Sequence, residues 1–313
     1  YPVPIRRLRI SMTNQVTIKE VAARDGLQAQ SVEISLDQRR ELILSLVAAG
    51  VPELEIGSFV SPKAVPQMAG TDALAQTLPE AMTEYRALVP NMKGYELARR
   101  EGIDQLAIVV SATEQMNQNN IRKSLEDTFS MASEIMRRAR EEQVDIHAYL
   151  AVAFECPYEG RVNASVIMDQ AQQLMRDAPG RLVIADTIGA ANPRAVKSMM
   201  TELVAQFGVE ALGCHFHDTR AMGLANVFAA LDAGIRQFDS SAGGLGGCPF
   251  APGAKGNVAT EDVVMLCESA GLSTGINIEA LLESVAHLTH MIGSEQGGRA
   301  HYWLTHNWQK MTA

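Results

Sequence analysis

Apolar, β-branched runs recur along the chain, separated by segments of a different rhythm. Eight of them read as strands: Val16 to Ala22, Glu53 to Phe59, Tyr85 to Pro90, Gln105 to Ser111, Asp145 to Ala153, Arg181 to Asp186, Ala211 to His217 and Gln237 to Ser241. Between them, stretches such as "SLDQRRELILSLVAAG", "SLEDTFSMASEIMRRAREEQ" and "NPRAVKSMMTELVAQFG" place apolar residues three and four apart. Each opens on Ser or Asn, whose side chain accepts from the free N–H groups of a first helical turn. Strands that each lead into a helix predict an α/β fold, a closed (β/α)8 TIM barrel in preference to an open doubly wound sheet. No Pro/Ser-rich linker divides residues 14–293, which are expected to form one catalytic barrel. Residues 294–313, rich in small and polar side chains and holding Trp303 and Trp308, read as a C-terminal tail. It is expected to pack over the barrel mouth, on a neighbour or on the barrel exterior.

Composition narrows the picture. Hydrophobic residues make up 47% and charged residues 20% of the 313, as in an ordinary globular enzyme, and no window has the apolar length a membrane span needs. A net charge of −9 argues against a partner with a phosphate backbone, so no nucleic acid is expected. Four cysteines without CxxC spacing indicate neither a zinc ribbon nor a disulfide framework, and a reducing cytoplasm fits them. Residues 1–13 are Arg-rich but lack an apolar secretory core, and read as a leader or a remnant of expression.

In a barrel enzyme the chemistry gathers where strands end. The first predicted strand runs into Arg24 and Asp25, the second carries Glu55, the sixth ends in Asp186 and Thr187, and the seventh ends in "HFHD". Residues two apart on a strand share a face, so His215 and His217 both turn toward one side. Two imidazoles in an apolar interior need partners, and with a carboxylate such as Asp25 they make a His/His/carboxylate set suited to Mg²⁺, Mn²⁺, Co²⁺ or Zn²⁺. Arg24 at the same strand end can stabilise an oxyanion. After the eighth strand, the run Gly243 to Gly256 has six glycines and two prolines around Cys248, a loop able to carry a thiol as an acid or base. Cys214 and Cys267, inside a predicted strand and helix, read as core.

Together "RDGLQ" (24 to 28), "EIGSFVSPKAVPQM" (55 to 68), "PNMKG" (90 to 94), "CPYEG" (156 to 160), "ADTIG" (185 to 189), "HFHDT" (215 to 219) and "GGLGGCPFAPGAKGNVATED" (243 to 262) resemble the 3-hydroxy-3-methylglutaryl-CoA lyase family. The Cys-containing loop is similar to the lyases rather than to the condensing synthases of the same superfamily. The resemblance implies a divalent cation, Mg²⁺ or Mn²⁺, on Asp25, His215, His217 and Asn257, and no organic cofactor beyond the CoA of an acyl-CoA substrate. It implies retro-Claisen cleavage to acetyl-CoA and a keto acid, typically acetoacetate, and a homodimer. His215 is the first choice of base and Asp25 the second. Arg24 stabilises the enolate, Cys248 moves a proton, and Asp186 and Glu55 orient these groups. Arg24, Gln28, Thr187, Asn120 and Arg220 are expected to meet substrate. The chain departs from the family pattern at Ala22-Ala23, Ala64, residues 117–120 and Arg220 to Gly223, leaving the metal set intact but altering the surroundings of the acyl branch, for which a citramalyl-type thioester is the alternative.

Overall fold

The computed structural model describes residues 14–247 and 256–311. Eight strands close into a barrel: β1 (Thr17–Glu20), β2 (Glu53–Ser58), β3 (Glu84–Leu88), β4 (Gln105–Ser111), β5 (Asp145–Ala151), β6 (Arg181–Asp186), β7 (Leu212–Phe216) and β8 (Gln237–Ser240). Hydrogen-bonded neighbours follow the order β1-β8-β7-β6-β5-β4-β3-β2 around the ring, all parallel. The predicted helices form with their caps in place: Ser35, Ser124 and Asn192 accept from the N–H of Gln38, Asp127 and Ala195. One continuous apolar core joins strand residues such as Ile18, Leu54, Ile108, Leu182 and Phe238 to helix residues such as Leu42, Met136 and Leu203. No helix among the described residues is long and apolar enough to cross a membrane.

The lumen is filled differently. Barrel interiors are ordinarily layers of Val, Ile and Leu. Here Tyr149 on β5 donates to Asp239 on β8 (2.8 Å), Arg181 on β6 donates to both carboxylate oxygens of Glu53 on β2 (3.1 Å each), and Arg86 on β3 donates to Asp145 on β5 (2.6 Å). None of these strand pairs are neighbours in the ring, so all three links cross the lumen. A small apolar cluster of Ala107, Tyr149 and Val183, with Leu88 and Val109 against it, accompanies them. An unpaired charge in this setting would cost several kcal/mol, on the order of the penalty per buried ion. Each of Arg86, Arg181 and Lys19 accordingly faces a carboxylate.

The first strand is shorter than the expected Val16 to Ala22. It leaves the sheet after Glu20, and Ala22–Gly26 form a single π-helical turn in which the Gly26 N–H reaches the Val21 carbonyl five residues back (3.1 Å). Glu20, fully buried, anchors that turn. Its Oε1 accepts from the N–H of Ala22 (2.8 Å) and Ala242 (3.0 Å), and its Oε2 accepts from the Thr260 hydroxyl (2.6 Å). One side chain thereby joins the end of β1, the exit of β8 and the start of the helix Thr260–Ser269.

The chain returns to the barrel mouth at its C-terminal end. After the helix Ile278–Ile292, Gly297 donates to the Gly243 carbonyl (3.1 Å), Gly298 to Glu261 (2.7 Å), and Arg299 and Ala300 to Asp262 (2.6 and 2.9 Å). The Arg299 guanidinium donates to Asp218 (2.6 Å), just past β7. A final helix, His301–Met311, follows, with Leu304 buried and Trp308 packed against the core while Trp303 stays exposed. Residues 297–300 are thus a strap on the rim, and the helix beyond them packs on the barrel's own core.

Burial pushes the Glu20 carboxyl up to about 7, against an ordinary 4.5, despite the three hydrogen bonds it accepts. Folding therefore takes up a proton between those values, and the folded state loses stability as pH rises through that window. Glu20→Gln keeps the shape, with its amide oxygen accepting the two N–H groups and its NH₂ facing Thr260, but has nothing to titrate. Urea unfolding at about pH 5 and about pH 8 should show the wild type losing roughly 1 to 3 kcal/mol relative to the variant. Parallel pH dependence in the two proteins would show that Glu20 ionises normally.

Candidate active site

The π-helical turn resolves a problem set by the sequence, since adjacent residues on a regular strand point to opposite faces. Widening the backbone at Ala22–Gly26 brings Arg24 and Asp25 to the same side, and the guanidinium donates to Asp25 Oδ1 (2.7 Å). The Arg24 Nε donates to Glu55 Oε2 on β2 (2.7 Å). Burial opposes charge on Arg24, but Glu55 and Asp25 outweigh it and hold the guanidinium more firmly protonated than usual. Its two ion pairs leave it a fixed positive charge at the mouth.

Asp25 is also held from the far end of the chain. Asn257 donates through Nδ2 to Asp25 Oδ2 (2.8 Å) and to the Leu245 carbonyl (3.1 Å). Residues after the Cys248 loop are stitched to strand ends: Asp218 donates to the Gly256 carbonyl (3.0 Å), Val258 to the Phe216 carbonyl (3.0 Å), and Ser241 to the Val258 carbonyl (3.1 Å). The stems of the loop meet through glycine. A Cβ on Gly246, at φ +143°, would lie 2.6 Å from Asn257 Nδ2, and one on Gly256 would lie 2.4 Å from the Gly244 carbonyl oxygen. A side chain at Gly246 would push Asn257 away from Asp25.

The two histidines of β7 complete the cluster. His215 and His217 are buried with ring centroids 5.2 Å apart, and one donor atom from each of Asp25, His215 and His217 lies within 4.8 Å of the others. His215 Nδ1 pairs with Asp239 Oδ2 (3.1 Å), leaving Nε2 for the site. His217 Nδ1 and Asn257 Oδ1 are buried with no hydrogen-bond partner. Burial, then the neighbouring His215, pulls His217 down to about 4, so it is neutral at ordinary pH. Burial opposes ionisation of Asp25, but Arg24, both histidines and Asn257 bring its carboxyl down to about 2. A neutral His217, the open Nε2 of His215, an ionised carboxylate and two orphaned polar atoms are the donor set a divalent cation needs, and the residues fit one. This combination, more than any single residue, marks the centre.

The other expected residues fall in two groups. Asp186 accepts from the N–H of Ala190 (2.8 Å) and Ala191 (3.0 Å), pinning the β6 loop, and burial pushes it up to about 6. Thr187 in that loop accepts from the Val152 N–H (2.8 Å), where Val152 has an unusual φ of +52° for a β-branched residue. Arg220, exposed, donates to the Gly189 carbonyl (3.1 Å) and so links the β6 and β7 loops. Gln28 lies just past the π-helical turn, half-buried, whereas Asn120 is exposed on the helix Glu114–Ile121, outside the bonded cluster. Cys248 lies outside the described residues. Sequence reasoning missed Lys19, Tyr149 and Asp239, all buried in the lumen beside His215. The signal was a lone charge inside an apolar strand, at Lys19 in "TIKEV" and Asp239 in "QFDSS".

Fold and donor cluster define a (β/α)8 barrel carrying a candidate metal centre on its rim. The profile of the HMGL-like family matches residues 15–288, and the chain belongs to that family. It is 39% identical over 286 residues to hydroxymethylglutaryl-CoA lyase of Pseudomonas mevalonii, covering 91% of this chain and 95% of the relative. It is 38% identical over 289 residues to (R)-citramalyl-CoA lyase of Chloroflexus aurantiacus, covering 89% and 91%. The crystal structure of the Bacillus subtilis HMG-CoA lyase superimposes with a TM-score of 0.90 at 37% identity, covering 94% of this chain and 99% of that one.

A ligand that binds only the folded state raises its stability, by about 2.7 kcal/mol at a hundredfold excess over Kd. Saturating Mn²⁺ should therefore raise the melting temperature of the wild type and leave that of His217→Ala unmoved. A variant that keeps the full shift would remove His217 from the ligand set.

Proposed function

We propose that this protein is a divalent-metal-dependent carbon–carbon lyase that cleaves 3-hydroxy-3-methylglutaryl-CoA, or a close 3-hydroxyacyl-CoA, to acetyl-CoA and acetoacetate or the matching keto acid. The observation that carries the reading is the clustering of the Asp25, His215 and His217 donors beside a doubly ion-paired Arg24. Relatives named for that reaction over most of the chain support it.

Asp25, His215, His217 and Asn257 would hold the cation, with Mg²⁺ or Mn²⁺ matching the mixed nitrogen and oxygen donors. When bound, it supplies positive charge that makes an adjacent substrate hydroxyl easier to deprotonate. His215 has one nitrogen free for the site, Nε2, which serves as ligand or as proton acceptor. In the second role Asp25, His217 and Asn257 would hold the cation. Loss of the hydroxyl proton turns that oxygen into a carbonyl, the C2–C3 bond breaks, and its electron pair moves onto the thioester as an enolate. Arg24 stabilises the enolate oxygen. Cys248 gives its proton to the enolate carbon, and the proton held by His215 restores the thiol.

Glu55 positions Arg24, and Asp186 positions the loop of Thr187. Gln28, Thr187, Asn120 and Arg220 are assigned to substrate contacts around the rim. A citramalyl-type acyl group is the second reading, favoured by the comparable identity to the citramalyl-CoA relative. A reducing cytoplasm suits the three described cysteines, all buried and free. A homodimer is part of the same reading.

Mn²⁺-loaded protein incubated with a panel of 3-hydroxyacyl-CoAs should release acetyl-CoA, detected by mass spectrometry, from at least one of them. Arg24→Met should lower that turnover by about 10² to 10³. Release of free CoA from acetyl-CoA plus a 2-oxo acid, with no thioester cleaved, would make the protein a synthase instead.

A further inference from the structure

Lys19 has no part in the chemistry above, yet it lies in the lumen next to it. It is 2% exposed, and its Nζ is 3.2 Å from Asp239 Oδ1 and 4.5 Å from the centre of the Tyr149 ring. Asp239 is the hub of a four-residue contact. One oxygen faces Lys19, while the other accepts the Tyr149 hydroxyl (2.8 Å) and meets His215 Nδ1 (3.1 Å). The register makes this a single layer: Lys19 on β1 is level with Asp239 on β8, which is level with His215 on β7, and Tyr149 reaches in from β5 across the lumen.

A lysine at this position needs a reason, because a methionine would fill a barrel layer without the cost of burying an ammonium group. What the ammonium does is electrostatic. Its charge holds one Asp239 oxygen at 3.2 Å, which turns the other toward Tyr149 and His215. The Tyr149 hydroxyl and His215 Nδ1 converge on that second oxygen, an arrangement that calls for a proton on Nδ1 and turns Nε2 toward the site. A neutral neighbour at position 19 would leave Asp239 with no buried cation in contact. The carboxylate would then be free to turn, and its contact with His215 Nδ1 would no longer be fixed.

We propose that Lys19 is a positioning residue for the active site: through Asp239 it fixes the ring orientation and the Nδ1–H tautomer of His215, so that Nε2 is presented to the cation or to the substrate proton. The inference rests on reading Asp25, His215, His217 and Asn257 as the metal site, but its first test does not need a metal. With ¹⁵N-labelled histidine in the metal-free protein, the ring nitrogens of His215, assigned by loss of their signals in His215→Gln, should report a ring protonated on Nδ1. Lys19→Met, close in volume, and Lys19→Gln, which keeps a polar head but carries no charge, should both lose that signature. Titration with Mn²⁺, followed by its electron paramagnetic resonance, should show affinity weakened about 10- to 100-fold in both. Turnover should fall while KM for the thioester stays within about threefold, as expected for loss of a group that acts only through the metal site.

A wild-type His215 protonated on Nε2 would overturn the proposal without any variant having to fold. So would a Lys19→Gln protein that keeps the tautomer and Mn²⁺ affinity of the wild type, since charge would then be irrelevant. If the wild type binds no Mn²⁺, the metal reading fails, and the nitrogen signals of wild type and Lys19→Gln still decide whether Lys19 sets the tautomer.

Discussion

A closed barrel can hold charge in its lumen only if every charge meets its opposite there, and that constraint organises this molecule. Three links span the ring: Tyr149 to Asp239, Arg181 to Glu53, and Arg86 to Asp145. Each takes the place of apolar layers that would otherwise set the spacing of the strands. Removing one partner would strand the other in a medium that solvates it poorly, which is why such pairs are costly to break even when they add little net stability. Their worth lies in geometry. A link across the lumen fixes which strands face each other and at what height, and the uppermost of these layers, which includes His215, is the floor of the rim.

On that floor the rim is assembled as an alternation of charge and hydrogen bond: Glu55, Arg24, Asp25, Asn257. These residues come from β2, the turn after β1 and the far side of the Cys248 loop. Each holds the next in position, and the ends of the row, Glu55 Oε1 and Asn257 Oδ1, are buried without protein partners. The π-helical turn is the local deformation that makes this row possible, because it lets two consecutive residues look the same way. Unusual backbone appears here and, among other places, at Val152, where the Thr187 hydroxyl accepts from the strained residue's N–H.

Much of this was legible in the chain. Strand and helix periods differ enough that all eight barrel strands could be located, and His215 with His217 announced themselves by spacing alone. Asn257 was found through resemblance, since one asparagine in a glycine-rich run has no local signal of its role. The lumen network stayed hidden for a different reason. Tyr149 and Asp239 are 90 residues apart in sequence and meet only once the ring is closed, so their contact is a property of strand order and register. Lys19 and Asp239 were each visible as a charge in an apolar strand, but pairing them required knowing that β1 lies beside β8. Arg220 adds a contact that local reading could not give: it stands after "HFHD", and its guanidinium ties that loop to the neighbouring one at Gly189.

The rim strap has a consequence in time. Ribosomes release chains from the N-terminal end, so all eight strands, both β7 histidines, Asp25 and Asn257 exist before Arg299 does. A nascent chain that ends with the helix Ile278–Ile292 already holds every candidate donor, but Asp218, next to His217, still lacks the guanidinium that secures it. The barrel is therefore finished in composition before it is finished in mechanics. The strap of residues 297–300 acts as a latch, tying the rim together after the parts of the centre have all been made.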